Sequence, residues 1–509
     1  MKPIFKSLGF AALIALPARA QDMPHIRIAQ GELSGFKDRG ADAYLNIPFG
    51  AAPVGELRWK APAPPPSWQG VRDASKFGPA CMQQDARPQA PWSLEYFVGP
   101  PYSEDCLSLN IWTTPEKTSG KKKAVALFIP GGGFSQGGGG VPIYNGAEMA
   151  KADIVFVTMN YRQSAAGFLA LPELAAESSS HASGNYTLTD ILAALRWIKA
   201  NIASFGGDPT KVTVMGQSAG AAAINALLQS PQSKTLFRGA IIDSGVRAGD
   251  ILTSNAEREK MSADWAKSHG ATTLAELRAL PASVLVPVRG QSFRFGPSVD
   301  GAVIPAQGGM MIDVPVLTGW NAGEGAVGNG RVLTTPVSRA EFEKQGETLL
   351  GTGAKEILAL YPSGNDATQV AQQAGHETMM MSGAGWIAAR HARSPVFYYD
   401  FEHVMPGAEA APYGSYHSSE LPYVFDTLHT LKRPWTESDY RVSALLQAYW
   451  VNFIKTGDPN GGPKDGTMLP KWVPFDPARN EVMALGVTPH MRPITGKERA
   501  EALARVFVK

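Results

Sequence analysis

Short runs of apolar, often β-branched residues recur along the chain, and glycine- or proline-rich turns separate them. Four of these runs have the length of buried strands, at residues 125–129, 212–215, 314–319 and 396–401. Residues 219–229 are instead rich in alanine, leucine and isoleucine, which is typical of a helix packed on a sheet. Strands that alternate with helices predict an α/β fold with a large, mostly parallel central sheet flanked by helices.

The junction between the second apolar run and this helix has the sequence Gly-Gln-Ser-Ala-Gly at 216–220. Its two glycines leave room for neighbouring elements to approach a strained turn, so the hydroxyl of Ser218 would stand exposed. A glycine-rich turn with a serine also arises by chance, but a strand before it and a helix after it favour catalysis. Ser218 is therefore the candidate nucleophile.

A serine nucleophile requires a base to take its proton and an acid to orient that base. Glu324 follows the run at 314–319, just past a strand end, where the catalytic groups of open sheets collect. His417 is the best placed of the nine histidines, because it lies in a glycine- and serine-rich turn after the run at 396–401. The alternatives are a solvated surface carboxylate for Glu324 and a hydrogen-bonded structural role for His417.

The run at 125–129 ends at Pro130 and opens into three glycines at 131–133. Acyl transfer develops a negatively charged oxygen that needs preorganised N–H donors. Backbone without side chains can turn its N–H groups inward, as in the glycine-rich oxyanion loop of lipases and esterases. We assign Gly132 and Gly133 as donors, together with the N–H of Ala219. A flexible surface turn is the alternative.

Further segments resemble the type B carboxylesterases, a family of α/β hydrolases that includes cholinesterases and bacterial ester hydrolases. They occur in order over nearly the whole mature chain, at 43–49, 57–59, 103–112, 160–162, 184–186, 194–198, 205–209, 450–453 and 456–461. The resemblance implies an α/β-hydrolase fold and a triad of Ser218, Glu324 and His417 that cleaves carboxylic esters through an acyl-enzyme. It also implies that Ser244 hydrogen-bonds the triad carboxylate, unless this residue is a simple turn serine.

The chain departs from the family pattern beside the nucleophile and at the entrance to the site. Gln217 stands where cholinesterase-like members carry glutamate, so a preference for cationic substrates is less expected. No clear counterpart of the choline-binding tryptophan is present, although Trp92 or Tyr96 could line the gorge or simply pack in a proline-rich loop. Short-chain esters, aryl or feruloyl esters, bulky natural-product or toxin esters, amides and lactones all stay open as substrates. Neuroligin-like binding members of the family have lost the nucleophile, whereas all three triad positions are filled here.

Residues 1–20 combine early lysines, an apolar stretch and a small-residue cleavage site, which is the pattern of a signal peptide. We therefore expect export to the periplasm or the medium. Cys81 and Cys106 have no metal-like spacing, so we expect them to form one disulfide, at a place where the family has a bridge. No later stretch offers about 20 consecutive apolar residues, so no membrane span is expected.

Charge and motif content exclude other classes of partner. The chain has 47 Lys and Arg against 45 Asp and Glu, without a basic block, so neither nucleic acid nor an anionic membrane is expected to bind. No metal or organic cofactor is implied, and the expected partner is a small-molecule ester; the oligomeric state stays open. Because the triad residues are spread along the chain without a dividing linker, we expect one catalytic domain over 21–509. Cap-like helical insertions are expected near 250–310 and 332–393.

Overall fold

The apolar runs of the chain become neighbouring strands of one large sheet. The computed structural model describes residues 23–115, 120–248, 252–287, 293–306, 311–324, 338–361, 367–461 and 469–507. The strands are β1 His25–Ile28, β2 Gly31–Ser34, β3 Phe36–Asp38, β4 Ala41–Pro48, β5 Val71–Asp73, β6 Ala80–Cys81, β7 Tyr102–Ser103, β8 Ser108–Thr113, β9 Lys123–Ile129, β10 Ile154–Met159, β11 Gly207–Gln217, β12 Gly239–Asp243, β13 Thr253–Ser254, β14 Ser298–Val299, β15 Val316–Asn321, β16 Val396–Phe401, β17 Glu481–Leu485 and β18 His490–Pro493.

Helices connect most of these strands and pack on both faces of the sheet. They are α1 Ala147–Lys151, α2 Ser164–Phe168, α3 Pro172–Glu177, α4 Tyr186–Asn201, α5 Ala219–Leu228, α6 Asn255–Ser268, α7 Leu274–Ala279, α8 Arg339–Leu350, α9 Ala354–Ala359, α10 Ala367–Ala389, α11 Ala410–Tyr413, α12 Leu421–Val424, α13 Glu437–Thr456 and α14 Lys497–Phe507. In the described part of the chain, no helix combines the length and apolar character that a membrane crossing requires.

The large sheet has its parallel strands in the middle and antiparallel strands at its edges. Among the described residues it contains 11 strands, in the order β18-β17-β16-β15-β12-β11-β9-β10-β8-β4-β3. The strands from β17 to β10 in this order run parallel to their neighbours. Their carboxyl ends therefore meet along one edge of the sheet, and this is the edge at which open α/β sheets build their sites.

Alternating side chains of the strands fill two separate cores. Along β9, Val125 and Leu127 belong to the core that α4 and α5 cover, whereas Ala126 and Phe128 belong to the core that α13 covers. All of these side chains are fully buried, which explains why a strand covered on both faces is a continuous apolar run in the sequence.

The structure confirms the predicted α/β arrangement, with small shifts in the boundaries of the elements. The predicted strand at 396–401 coincides with β16, whereas the strand predicted at 314–319 begins two residues later and continues to Asn321. Described helices α6 and α7 lie in the first region expected to form a cap, and α8, α9 and α10 lie in the second. The division into a signal peptide and one catalytic domain stays a prediction, and residues 1–20 lie outside the described residues.

Candidate active site

Ser218 lies in a tight turn between β11 and α5. Its backbone has φ 57° and ψ −120°, and a positive φ costs a residue with a side chain of order 1–3 kcal/mol. The turn closes because two glycines lack side chains. A Cβ at Gly216 would lie 2.7 Å from the carbonyl carbon of Gly220, and a Cβ at Gly220 would lie 2.0 Å from the oxygen of Ile129. The Ser218 N–H donates to the carbonyl oxygen of Asp243 at 2.9 Å. This hydrogen bond to the end of β12 holds the strained turn in place.

The imidazole of His417 contacts the carboxylate of Glu324. Nδ1 of His417 lies 2.6 Å from Oε2 of Glu324, and both side chains are buried. Glu324 follows β15 and His417 follows the adjacent β16, so strand pairing brings the two loops together. Gly323 allows this approach: its N–H donates to the oxygen of Ser415 at 2.8 Å, and a Cβ at Gly323 would lie 2.8 Å from the same oxygen.

Two donors hold the other carboxylate oxygen of Glu324. The hydroxyl of Ser244, which follows β12, donates to Oε1, and the backbone N–H of Asn321 donates to the same oxygen at 3.3 Å. The contact expected between Ser244 and the carboxylate is present. Asn321 is a partner that the sequence reasoning did not identify. The carboxylate is therefore fixed from three directions once the imidazole is counted.

Burial and charge oppose each other in this pair. Burial alone would raise the pKa of Glu324, but the charge of His417 and the hydrogen bonds to the carboxylate leave its pKa below the ordinary value. Burial alone would lower the pKa of His417, but the carboxylate raises that pKa above its ordinary value. Glu324 is therefore ionised at neutral pH. Since a carboxylate can only accept, the neutral form of the His417 ring carries its proton on Nδ1 and has none on Nε2.

The side chain of Gln217 contacts the imidazole of His417. Its amide nitrogen lies 3.1 Å from Nε2 of His417, and Gln217 is the last residue of β11. No hydrogen bond joins the hydroxyl of Ser218 to the imidazole among the residues that the structure describes. The three predicted triad positions thus share one edge of the sheet. His417 contacts Glu324, whereas it makes no hydrogen bond to the hydroxyl of Ser218.

The glycine loop after β9 lies against the turn that contains Ser218. A Cβ at Gly131 would lie 3.1 Å from the Cβ of Ser218, so the loop touches the turn. Gly132 and Gly133 have φ of 113° and 63°, and the carbonyl of Gly132 accepts from two N–H groups of the same loop. Within the described ranges, the N–H groups of Gly132, Gly133 and Ala219 donate to no protein acceptor. The three N–H groups assigned from the sequence are therefore unpaired in this part of the chain.

A buried carboxyl group that sequence reasoning missed lies behind the pair. Glu420 is fully buried, and its Oε2 accepts from the amide of Asn321 at 2.5 Å. Burial, reinforced by the charge of Glu324, raises the pKa of Glu420 to about 7. The only sequence signal for this residue is its position three residues after His417.

Two histidines that sequence reasoning did not resolve have carboxylate partners of their own. Nε2 of His376 lies 2.9 Å from Asp400, and Nε2 of His403 lies 2.8 Å from Asp439. The first pair joins α10 to β16, and the second joins the segment after β16 to α13. Among the described residues, no group of three or more His, Cys, Asp or Glu side chains could hold a metal ion.

The entrance to the site includes the loop closed by the disulfide. The structure joins Cys81 to Cys106, as expected from the sequence. Within this loop, Trp92 lies edge to face against the ring of His417, whereas Tyr96 is buried with its hydroxyl 3.2 Å from that of Tyr416. Of the two aromatic residues left open above, Trp92 is therefore the one at the site.

A cavity of about 660 Å³ opens beside the glycine loop at Gly133 and Phe134. This volume is within the range of small-molecule sites. Its aromatic walls are Phe97, Phe134, Trp265, Phe293 and Phe295. Polar side chains that include Gln84, Gln136 and Arg294 line the remainder. The cavity can therefore contact both an apolar body and polar substituents of a ligand.

Comparisons with known proteins agree with this arrangement. A family model described as the carboxylesterase family matches residues 22–503. Fumonisin B1 esterase of Sphingopyxis macrogoltabida is 35% identical over 503 residues, which cover 94% of this chain and 89% of that protein. Phenmedipham hydrolase of Pseudarthrobacter oxydans is 32% identical over 491 residues, which cover 89% of this chain and 94% of that protein.

A solved structure of PNB esterase superposes on the chain with a TM-score of 0.76 and 28% sequence identity, covering 94% of this chain and 99% of that one. Together with the mixed central sheet, this match confirms the α/β-hydrolase fold that the sequence predicted.

Proposed function

Since this chain belongs to the carboxylesterase family and is a carboxylesterase, we propose that it cleaves esters through a triad of Ser218, His417 and Glu324. The observation that carries the proposal is the 2.6 Å contact between Nδ1 of His417 and Glu324, at the same sheet edge as a serine in a strained turn. The contact fixes the tautomer in which Nε2 is the proton acceptor.

Acylation follows from these positions. Nε2 of His417 takes the proton of the Ser218 hydroxyl while Oγ attacks the ester carbonyl carbon, and Glu324 stabilises the resulting imidazolium. The carbonyl oxygen becomes negative and accepts hydrogen bonds from the N–H groups of Gly132, Gly133 and Ala219. When the tetrahedral intermediate collapses, the imidazolium returns its proton to the leaving alkoxide, and the acyl group stays on Ser218.

Deacylation repeats the same steps with water. His417 removes a proton from a water molecule, the hydroxide oxygen attacks the acyl carbon, and the same donors hold the oxyanion. Oγ of Ser218 then leaves and recovers the proton from the imidazolium, which releases the carboxylic acid. Ser244 and the N–H of Asn321 keep the carboxylate of Glu324 oriented through both halves.

Ser218→Ala is the direct test of the nucleophile. We expect the folded variant to lose turnover of a p-nitrophenyl acyl ester and to resist labelling by an organophosphate that modifies the wild type at one site. Ser180→Ala, which changes an exposed serine, is the control and should keep both activities. Wild-type turnover in the Ser218 variant, with the label on another residue, would refute the triad.

The cavity beside Gly133 supports esters with a bulky, partly aromatic acyl or alcohol part. Its volume of about 660 Å³ exceeds what a short acetyl or methyl group would fill. A relative is an esterase of fumonisin B1, which supports the same direction. The test is a series of esters of increasing acyl length and alcohol size, assayed with matched amides and lactones. We expect kcat/KM to rise with size among the esters; a maximum at acetyl esters or faster amide cleavage would contradict this.

The disulfide supports export of the protein, because such bonds persist in oxidising compartments. The signal peptide expected at 1–20 lies outside the described residues, so its removal is tested on the protein itself. Mass spectrometry of material recovered from the periplasm or medium should give a chain that begins at Gln21. An intact chain that begins at Met1 and stays in the cytoplasm would contradict export.

A further inference from the structure

The loop that carries two of the proposed oxyanion donors has a backbone with little restraint of its own. Residues 131–133 are three consecutive glycines, and Gly132 and Gly133 have φ of 113° and 63°. Glycine loses more conformational freedom on ordering than any other residue. Donors to an oxyanion are effective when they are held in place before the charge develops. Contacts from outside the three glycines must therefore supply the restraint.

The far end of the loop folds back onto these glycines. A Cβ at Gly132 would lie 2.0 Å from the carbonyl oxygen of Gln136. A Cβ at Gly137 would lie 2.5 Å from the carbonyl oxygen of Gly131. The N–H of Gln136 also donates to the carbonyl oxygen of Gly132 at 3.1 Å. A group that fixes the peptide groups of Gly137 therefore also restrains the backbone on which the proposed donors lie.

The buried side chain of Gln83 binds both peptide groups of Gly137. Its Oε1 accepts from the N–H of Gly137 at 2.8 Å, and its Nε2 donates to the carbonyl oxygen of the same residue at 2.9 Å. Nε2 also donates to the carbonyl oxygen of Cys81 at 3.0 Å. These partners fix the orientation of the amide, because a flipped amide would place its oxygen against two carbonyl oxygens.

Gln83 is itself attached to a covalently fixed point. It lies two residues after Cys81, which the disulfide joins to Cys106. A second amide, that of Gln163 after β10, donates to the carbonyl oxygen of Gly137 at 3.0 Å. In the described part of the chain Gln163 binds this one atom of Gly137, whereas Gln83 binds the N–H as well. Gln83 therefore restrains the orientation of Gly137 from two directions.

We propose that Gln83 is a positioning residue of the oxyanion hole. By pairing with Gly137, its amide keeps the N–H groups of Gly132 and Gly133 in place for the negative oxygen of acylation and of deacylation. The inference rests on the proposed function, since it concerns the same donors. The wall of the cavity beside Gly133 does not include Gln83. Loss of the amide should therefore weaken stabilisation of the transition state and leave binding of the ester itself nearly unchanged.

Two substitutions of Gln83 test the proposal. Gln83→Met keeps a side chain of similar volume and removes the hydrogen bonds to Gly137 and Cys81. Gln83→Asn keeps an amide that is one methylene shorter, so it loses part of the pairing and leaves fewer buried groups without a partner. Gln447→Met is the matched control on α13, at an amide whose nitrogen has no hydrogen-bond partner in the described part of the chain. Thermal unfolding shows whether each variant is folded.

The readouts are kcat and KM for a p-nitrophenyl acyl ester and the inhibition constant of octyl trifluoromethyl ketone. Addition of the Ser218 hydroxyl to this ketone gives a hemiketal whose negative oxygen takes the place of the oxyanion. We expect kcat and kcat/KM to fall together by about 5- to 50-fold in Gln83→Met, and by less in Gln83→Asn, with KM changed by less than about twofold. Affinity for the ketone should fall by the same factor as kcat/KM. Gln447→Met should match the wild type.

A residue that only supports the fold would lower the fraction of active enzyme, and the inhibition constant of the ketone would stay at its wild-type value. That result in folded Gln83→Met or Gln83→Asn protein would overturn the proposal, as would a wild-type kcat. A raised KM with an unchanged kcat would also overturn it, because Gln83 would then act on ester binding. Failure of the proposed function is a different outcome: Ser218→Ala would keep turnover and the organophosphate would label another residue, whatever the Gln83 variants show.

Discussion

The indole Nε1 of Trp92 donates a hydrogen bond of 3.0 Å to the carbonyl oxygen of His417. Their rings also meet edge to face, with centroids 6.5 Å apart. Trp92 belongs to the loop that the Cys81–Cys106 disulfide closes. The disulfide-closed loop therefore contacts His417, the proposed base, although Trp92 and His417 are 325 positions apart in the sequence.

Trp92→Phe keeps an aromatic ring at this position and removes the donor. Loss of one neutral hydrogen bond should lower kcat/KM for a p-nitrophenyl ester by about two- to tenfold, because the backbone of His417 is then less firmly held. Trp68→Phe removes a similar indole hydrogen bond, which Trp68 donates to the backbone oxygen of Glu32 in β2. Equal activity of the two variants would show that the contact with His417 has no part in catalysis.

Replacing both cysteines by alanine should destabilise the protein by about 3 kcal/mol, the loop-closure value for a separation of 25 residues. Urea unfolding of the oxidised wild type and of the double variant measures the difference. Because the loop carries Trp92, kcat/KM should also fall at temperatures where the variant stays folded. A variant with wild-type stability and activity would mean that packing alone holds the loop.

Glu324→Gln should lower kcat by about four orders of magnitude, since an amide neither fixes the tautomer of His417 nor stabilises its cation. The pH profile should move as well. In the proposed mechanism the neutral imidazole is the base, so activity should be lost as pH falls through the pKa of His417. The carboxylate holds that pKa above its ordinary value. The acid limb of kcat/KM in the variant should therefore lie at lower pH than in the wild type.

Stopped assays at high enzyme concentration can follow the residual rate of Glu324→Gln. Glu173→Gln, an exposed change on α3, controls for the loss of one negative charge. A Glu324 variant with a wild-type rate, or with an acid limb at higher pH, would remove this carboxylate from the mechanism.

Glu420→Gln should make stability less dependent on pH. Burial raises the pKa of Glu420 from 4.5 to about 7, so the folded protein keeps this proton longer than the unfolded chain does. The carboxyl group therefore disfavours folding progressively as pH rises through this window, by about 3 kcal/mol in total. Between pH 5 and 8 we expect the variant to lose less stability in urea unfolding than the wild type or Glu173→Gln. A parallel decline in all three proteins would contradict the raised pKa.

The parts of the site that could be predicted from the sequence are those with a local signal. Strands buried on both faces are uninterrupted apolar runs, so the carboxyl ends of β9, β11, β15 and β16 could be located to within about two residues. Ser218 follows the end of β11, and the glycines at 131–133 follow the end of β9. Glu324 and His417 come after the ends of β15 and β16, and both also fit a family pattern.

The contacts across the sheet edge had no such signal. Gln217 and His417 are 200 positions apart, and the amide reaches the imidazole because β11 and the loop after β16 end on the same side. Glu420 was missed because a glutamate in a polar turn gives no sign of burial. Its desolvation arises from helices and strands that pack around it only in the folded chain.

The residues of the proposed mechanism lie where the parallel strands finish, and the opposite rim of the sheet is formed by the other ends of these strands. At that rim, Lys121 and Lys122 are exposed just before β9, while the oxyanion loop follows the other end of the same strand, about 20 Å away. A support that coupled only through these two lysines would orient the enzyme with its entrance facing the solution. Immobilisation in this direction preserves access for large esters, which random coupling would partly obstruct.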